Sequence, residues 1–478
     1  MACSPLVTGL LLVCSFQGLL DKALLVCLRQ SGQSGTGTIP EKGPPGNRSI
    51  FLKHFSVTPM AFCTTPLDQQ SGLRFAYTTF LLSWLTAFGP LCTDMYLPTL
   101  PDIASELHIS TALAQSSITA CLLGLALGQL VIGPISDSRG RHGILVFSLT
   151  IYTVASFLCS VATSGPVFLL LRFVQGVGGA GGAVLARAVC CDVFQGSRLT
   201  QYISLLMAIH SVAPILGPVV GGFLGGTYGW RSVFVVLGII GVLLVAGALF
   251  TLPESLPREK RLTGGIWASL RNTGRLFREH TFLCYTAVQG FTMAGFFAYV
   301  SASPFIFQNI YGLSMETFSI IFGCNAIGML CFSLLAARLS RRFGDRSLLR
   351  WGDILRTIAC FGVLGVALAQ PASPVPMIGA LFCMLVLQSI TLATSFSLAV
   401  CSQRVGAGAA SGLLGVAVFL FGACSSPLVG LAGPMSAVPL GIIAAVTGVA
   451  SLCSSLMGNR LYQGFVGTSR TGGDPEGA

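Results

Sequence analysis

Two ionisable side chains lie where the surrounding sequence is almost wholly apolar. Asp94 is the one acidic residue well inside the first six apolar segments, and Arg172 lies inside the fourth. Such a group is costly to bury unless it faces a cavity or finds a partner. A buried carboxylate can take up and release a proton, and a nearby arginine would stabilise its deprotonated form. We therefore expect Asp94 to bind a proton and Arg172 to tune that binding. The alternatives are a helix-end carboxylate and an arginine that extends to the membrane surface.

Apolar segments long enough to cross a membrane make up much of the chain. Of its 478 residues, 53% are apolar and 9% are charged, and the mean hydropathy is +0.80. Soluble domains carry about 25% charged residues, so the composition excludes an ordinary soluble enzyme, and disorder needs far lower hydrophobicity. A membrane span takes about 20 residues. The apolar segments lie near residues 75–95, 113–133, 144–163, 167–189, 201–225, 233–252, 283–308, 314–336, 352–369, 376–401, 410–430 and 437–457.

These segments fall into two groups of six, separated by a polar stretch. The pattern predicts an all-α integral membrane fold with 12 transmembrane helices in two pseudo-symmetric six-helix halves. The expected parts are an N-terminal extension (1–72), a first half (73–252), a cytoplasmic central loop (253–281), a second half (282–458) and a cytoplasmic tail (459–478).

The N-terminal extension differs from the rest of the chain. Its apolar start is interrupted by polar residues and is followed by a Gly-, Ser- and Pro-rich stretch over residues 31–48. It lacks the basic beginning and the clear cleavage site of a signal peptide. One interpretation is that Met60 is the physiological start; a further helix is the other.

Basic residues are concentrated in alternate loops, which predicts the orientation of the helices. Apart from Arg231, the Lys and Arg residues between segments fall in the loops after the even-numbered segments. Positive charge favours the cytoplasmic side, so both termini of the 12-helix core are expected there. The net charge of +11 then reflects membrane topology rather than a nucleic-acid-binding face. The basic residues concerned are Arg139, Arg141, Arg198, Arg258, Lys260, Arg261, Arg271, Arg275, Arg278, Arg338, Arg341, Arg342, Arg346, Arg350 and Arg404.

The residues that could bind a metal, form disulfides or catalyse a reaction are not suitably spaced to do so. The 17 cysteines include no C-x-x-C pair, and many lie inside apolar segments, where a thiol behaves as a small hydrophobic group. We expect no metal, no cofactor and no catalytic residues. A P-loop is also missing from the sequence, which argues against ATP as the energy source.

A charged, glycine-containing loop follows the second apolar segment. A degenerate copy over residues 337–346 follows the eighth segment, 204 positions later when Gly140 is set on Gly344. Two halves with a matched loop are typical of repeat-built transporters, whose substrate site lies between the halves. The first loop motif consists of Gly133, Asp137, Arg139, Gly140 and Arg141.

This loop motif closely resembles that of the major facilitator superfamily. Gly133 is expected to let neighbouring helices approach closely. Asp137 is expected to meet a helix N-terminus or an arginine of the adjoining half, and so to latch one conformation.

Three further motifs resemble those of drug:proton antiporters in that superfamily. The sequence from Arg172 to Gln175 and the next glycine resembles R-x-x-Q-G, whose arginine is implicated in proton coupling. Asp94, Tyr96 and the prolines after them resemble the D-x-Y-L-P-x-x-P signature of the bicyclomycin-resistance (Bcr/CflA) branch. The fifth segment resembles the G-P-x-x-G-G motif of antiporters, and its residues are Pro214, Gly217, Pro218, Gly221 and Gly222.

The resemblance implies a proton-coupled efflux antiporter of the inner membrane. Its partners would be protons, the lipid bilayer and a small lipophilic drug or metabolite, and the protein would act as a monomer. A proton symporter or a facilitator for a small metabolite is the alternative, against which the fifth-segment motif argues. We expect His210 to have a packing role. An apolar cavity with a few polar groups suits such substrates, and its candidate lining residues are Tyr96, Gln175, Phe296, Tyr299, Asn325 and Gln388.

Overall fold

The computed structural model describes five stretches of the chain and four residues between them. These are residues 73–194, 212–261, 275–402, 407–433 and 435–471, with Tyr202, Leu206, Ile209 and His210. The N-terminal extension and the start at Met60 therefore lie outside the described residues, as do residues 262–274 of the central loop and the end of the tail.

Among the described residues, six long helices and one short helix form the first half. The short helix α2 follows α1 after a 3₁₀ turn at Leu97–Thr99. The seven helices are α1 (Leu73–Asp94), α2 (Leu100–Glu106), α3 (Thr111–Arg139), α4 (Arg141–Ser160), α5 (Gly165–Val193), α6 (Ala213–Tyr228) and α7 (Trp230–Thr251).

The described part of the second half contains six long helices, and the first of them continues into a π turn at Ile306–Ile310. Among the described residues, ten helices of the two halves are long and apolar enough to cross a membrane. The prediction of an all-α membrane fold is confirmed. The helices of the second half are α8 (His280–Phe305), α9 (Met315–Phe343), α10 (Asp345–Ala369), α11 (Val375–Cys401), α12 (Ala407–Val429) and α13 (Val438–Thr471).

The predicted repeat of 204 residues appears in how the second helix of each half begins. Ser110 caps α3 by accepting a hydrogen bond from the Leu113 amide, and Ser314 caps α9 in the same way. Two residues before each cap, the backbone has positive φ, 51° at His108 and 65° at Gly312. A serine at this position satisfies one of the unpaired amides of the first turn.

Two glycine connections repeat at the same spacing. Gly140 (φ 108°) joins α3 to α4, and Gly344 (φ 77°) joins α9 to α10, each as the single residue between two helices. Gly229 (φ 79°) and Gly433 (φ 80°), near the ends of the two halves, form the other pair. Side chains with a Cβ rarely adopt such angles, so these turns explain why glycine occurs at matched positions.

Small residues let the helices of the first half pack closely, as is usual in membranes. A Cβ built on Gly128 of α3 would lie 2.6 Å from Ala180 Cβ and 2.8 Å from the Val177 carbonyl oxygen of α5. By contrast, a methyl group on Gly133 would make only ordinary contact with Val184, at 3.6 Å. The expectation that Gly133 permits close helix approach is therefore not met, because the helices are further apart at that residue.

The two halves meet at the end of the bundle that carries the α1–α3, α6–α7 and α8–α9 connections, which we call the closed end. Between described residues of the two halves, four hydrogen bonds cross near this end. They run from Gln115 to the Ser301 carbonyl (3.2 Å), from Thr119 to the Ala423 carbonyl (3.2 Å), from Gln308 to the Pro98 carbonyl (2.8 Å) and from Ser426 to the Gln115 carbonyl (3.4 Å).

Candidate functional site

Arg172 is completely buried in the first half, and neutral groups surround it. Its Nη2 donates to the carbonyl oxygen of Cys92 on α1 (3.1 Å), and its Nη1 donates to Gln175 Oε1 one turn further along α5. The guanidinium carbon lies 4.1 Å from the centre of the Tyr96 ring and 5.6 Å from that of Phe234. A buried guanidinium over an aromatic face is stabilised by the ring quadrupole.

Two of the predicted cavity residues are the groups that hold this arginine. Gln175 donates through Nε2 to Ser156 Oγ (2.7 Å), which turns its amide oxygen toward Arg172. The Tyr96 hydroxyl shares a hydrogen bond with Ser117 (2.9 Å). Tyr96 and Gln175 are both fully buried. In this structure they therefore position the arginine instead of presenting an open surface.

Asp94 is the last residue of α1 and is almost fully buried, with 4% of its surface exposed. The Thr93 hydroxyl lies 3.1 Å from its Oδ1. Among the ion pairs of the described residues, none joins Asp94 to Arg172. Arg172 instead contacts the backbone of Cys92, two residues earlier.

The glycines of the fifth-segment motif pack against the end of α1. A Cβ built on Gly217 would lie 3.3 Å from Asp94 Cβ, and one built on Gly221 would overlap the Met95 carbonyl oxygen. Pro214 lies in the first turn of α6 and Pro218 inside the helix. The motif therefore lets α6 pack directly against the candidate proton-binding residue Asp94 and against the backbone of Met95 that follows it.

Replacing Gly221 by alanine should distort this contact. Because the overlapping atom belongs to the backbone of Met95, just after α1, no side-chain rotation can relieve it. Overpacking of this kind costs about 1–3 kcal/mol. We expect a lower unfolding temperature of the purified protein, measured in detergent. Gly226→Ala is the matched control, since a Cβ there meets nothing within 4 Å. Equal unfolding temperatures for the two variants would contradict the contact.

Gly222, the next residue, faces the other half. A Cβ built on it would overlap Ser319 Oγ and lie 3.0 Å from Ser319 Cβ on α9. Neighbouring glycines of one motif thus serve different contacts, Gly221 within the first half and Gly222 between the halves.

The loop motif forms a charge cluster at the end of the bundle opposite the closed end. Arg141 pairs with Asp137 (2.5 Å) and, through Nε, with Asp192 at the end of α5 (2.9 Å). The Arg141 amide donates to Glu254, just after α7 (2.8 Å), and Arg139 is exposed. The arginine that Asp137 meets is therefore its own neighbour in the motif, not one from the adjoining half. The single-residue turn at Gly140 brings the two together.

The remaining cavity candidates lie in the second half. Asn325 of α9 donates to the Tyr299 hydroxyl (3.0 Å), and the Tyr299 ring stacks on Phe322 with centroids 5.5 Å apart. Phe296 is half-buried, and the centre of its ring lies 6.3 Å from that of the Tyr299 ring. Gln388 is fully buried, and neither polar atom of its amide has a hydrogen-bond partner among the described residues.

His210 has a backbone partner, as expected of a packing residue. Its Nδ1 lies 2.9 Å from the Thr86 carbonyl oxygen of α1.

One buried ion pair was missed by the reasoning from sequence. Asp353 and Arg356 of α10 have exposed fractions of 0% and 1%, and Arg356 Nε lies 3.2 Å from Asp353 Oδ1. The signal was available, since opposite charges three residues apart stand at the beginning of the ninth apolar segment. They resemble a helix-end pair until the packing of α10 is known.

Comparisons with known proteins agree with this architecture. Residues 82–434 match the Major Facilitator Superfamily. The uncharacterized MFS-type transporter YdgK of Bacillus subtilis (strain 168) is 40% identical over 385 residues, covering 80% of this chain and 95% of that protein. The bicyclomycin resistance protein homolog of Haemophilus influenzae is 30% identical over 365 residues, covering 76% and 90%.

Solved structures show the same fold at low identity. A D-xylose-proton symporter superposes with a TM-score of 0.66 at 15% identity, covering 80% of this chain and 97% of that one. A bacterial homolog of the lysosomal transporter Spinster, in an inward-facing and occupied conformation, gives 0.64 at 17% identity, covering 82% and 98%. The chain therefore belongs to the Major Facilitator Superfamily, in its bicyclomycin-resistance branch, and is a multi-pass membrane transporter rather than an enzyme.

Proposed function

We propose that the protein exports small lipophilic drugs or metabolites across the bacterial inner membrane in exchange for protons, by alternating access of its two halves. Two relatives support this proposal through their names, the bicyclomycin resistance protein homolog and a chloramphenicol resistance protein of Pseudomonas aeruginosa, which is 31% identical over 279 residues, covering 58% of this chain and 65% of that protein.

The observation that carries the proposal is the position of Asp94, which lies at the end of α1 and packs against α6. The Cβ of Asp94 faces Gly217 of α6. Gly222, which also lies on α6, faces Ser319 of the second half. A proton that arrives at or leaves Asp94 changes the charge at a tightly packed joint. Because α6 also contacts α9, a shift at this joint is transmitted to the contact between the halves.

Arg172 fits a role in that exchange without an ion pair. It holds the end of α1 through the carbonyl of Cys92, two residues before Asp94, and carries a positive charge. The charge favours the deprotonated form of Asp94. Binding of a cationic or polar substrate nearby would favour it further.

The positive-inside pattern gives the orientation of this proposal. It places the core termini and the Arg141 cluster in the cytoplasm, so the closed end faces outward. The halves are then closed on the outer side, and the Arg141 cluster acts as a latch within the first half. The protein would act as a monomer.

The test uses purified protein in liposomes with a trapped pH-sensitive dye. Addition of chloramphenicol or bicyclomycin should drive proton movement opposite to the drug, and Asp94→Asn should abolish it. Asp102→Asn is the matched control, because Asp102 is exposed on α2, eight residues further along.

Each other outcome contradicts a specific part of the proposal. Proton movement that survives in Asp94→Asn removes the role of this carboxylate. Protons that travel with the drug identify a symporter, and drug flux without proton movement identifies a facilitator.

A further inference from the structure

We propose that Asp353 and Arg356 form a second proton-binding site, inside the second half and separate from Asp94. The inference rests on the proposed exchange of protons and extends it to a group that no motif contains.

The carboxylate of Asp353 is held by its own helix α10 and by α13, and α13 in turn contacts α8 beside it. Arg356 Nε lies 3.2 Å from its Oδ1, and the Ser451 hydroxyl of α13 lies 3.0 Å from both carboxylate oxygens. Ser451 Oγ is in turn 3.3 Å from Thr292 Oγ1 of α8. The Thr357 hydroxyl donates to the Asp353 carbonyl (2.7 Å). These contacts fix the position of the carboxylate deep in the half.

The packing of the fold does not require this ion pair. Its members are three residues apart on one helix, so the pair ties no two helices together. The equivalent positions 204 residues earlier are Leu149 and Tyr152, both fully buried in the first half. One half thus packs with uncharged side chains where the other has two opposite charges. Buried ion pairs are weak stabilisers compared with well-packed apolar groups, which leaves function as the reason for the charges.

Unpartnered polar atoms lie beside the pair. Among the described residues, Arg356 Nη2, both polar atoms of the Gln388 amide and Thr391 Oγ1 are buried without a hydrogen-bond partner. A Cβ on Gly352 would lie 3.9 Å from Thr391 Oγ1, so α10 and α11 touch there. Arg356 lies one turn after Gly352 on α10, and Gln388 lies one turn before Thr391 on α11. Because the two helices are antiparallel, both steps run in the same direction along the bundle. Buried polar groups without a protein partner are usually hydrogen-bonded to ordered water, and water bound here would supply a route for a proton.

The chemical step is a simple proton transfer. A proton from a hydronium ion, delivered through water, forms an O–H bond on Asp353, and water is left behind. Arg356 remains charged, so the half gains one positive charge. The groups that face the carboxylate are Ser451 of α13, Arg356 and Cys360 of α10 itself, and, next to Ser451, Thr292 of α8. Arg356 is the charged one among these.

Helix α8 connects this site to the closed end. Thr292 lies nine residues before Ser301, whose carbonyl accepts from Gln115 of the first half. At about 1.5 Å per residue, the two points are about 14 Å apart along one helix. Protonation that loosens the Ser451–Thr292 contact therefore acts on a helix that also joins the halves.

The test records infrared difference spectra of the purified protein between mildly acidic and mildly alkaline pH, which reveal the C=O stretch of protonated carboxyl groups. We expect Asp353→Asn/Arg356→Gln to lose one component that Asp94→Asn and the same-helix control Asp345→Asn retain. The double variant avoids a buried arginine without a counter-charge. Asp353→Glu, which keeps the acid, should shift that component. A double variant with the wild-type spectrum would overturn the proposal.

A transport measurement separates this inference from the function on which it rests. In liposomes with chloramphenicol, the double variant should move one proton fewer per drug molecule than the wild type. An unchanged ratio would mean that Asp353 takes no part in coupling. If the wild type moves no protons with any drug, the proposed function fails, while the infrared result still decides whether Asp353 binds a proton.

Discussion

Replacing Arg172 by lysine is expected to lower drug-driven proton movement by about 100-fold while the protein stays folded. A lysine keeps the charge but cannot reach Gln175, the Cys92 carbonyl and the Tyr96 ring face together. A cation–π contact is worth about 1–2 kcal/mol and a hydrogen bond to a charged group about 1.5–3 kcal/mol. Loss of about 3 kcal/mol corresponds to about 100-fold. The measurement is the dye assay in liposomes.

Arg187→Lys provides the matched control for this prediction. Arg187 lies on the same helix, is half-buried, and donates through Nε to the Ala183 carbonyl of its own helix (3.0 Å). A lysine there should leave proton movement near the wild-type rate. Should Arg172→Lys behave like Arg187→Lys, the positive charge alone would be sufficient, and the fixed guanidinium geometry would have no role.

Replacing Gly222 by leucine is expected to open the closed end and abolish drug transport. Ser319 could turn away from a methyl group, but a leucine side chain has no space between α6 and α9. Overpacking costs about 1–3 kcal/mol, so the equilibrium between closed and open ends should shift by about 10- to 100-fold. Hydrogen–deuterium exchange should then become faster in peptides that contain Gln115 and Ser319.

Two controls distinguish opening from general unfolding. Gly226→Leu places the same side chain four residues later on α6, where a Cβ meets nothing within 4 Å. Peptides that contain Arg141, at the opposite end, should keep their wild-type exchange in both variants. Faster exchange throughout Gly222→Leu would mean loss of the fold, and unchanged exchange at Ser319 would show that the contact does not hold this end closed.

The repeat was predictable because local backbone geometry repeats with the sequence. A helix needs a cap and a sharp turn needs glycine, so Ser110 and Ser314, or Gly140 and Gly344, carry their structural roles in their own residue types. In the same way, the length of an apolar segment is enough to predict a membrane helix. These features depend on neighbours a few residues away, and the sequence displays such neighbours directly.

The partners of the buried charges were not predictable in the same way. Arg172 contacts a carbonyl 80 residues away, and Asp192 pairs with Arg141 across 51 residues. Which carbonyl or carboxylate comes within 3 Å of a guanidinium depends on how two helices are rotated and shifted against each other, and packing of many small residues determines that.

The membrane class, the two halves, their spacing of 204 residues and the motifs that identify the family could all be predicted from the residues alone. By contrast, helix packing was needed to show that Gly217 faces Asp94, that Gly222 faces the other half, and that Asp353 is buried with Arg356. Span length and turn geometry are set within one stretch of chain, whereas the burial of a charge is set by the helices that pack around it.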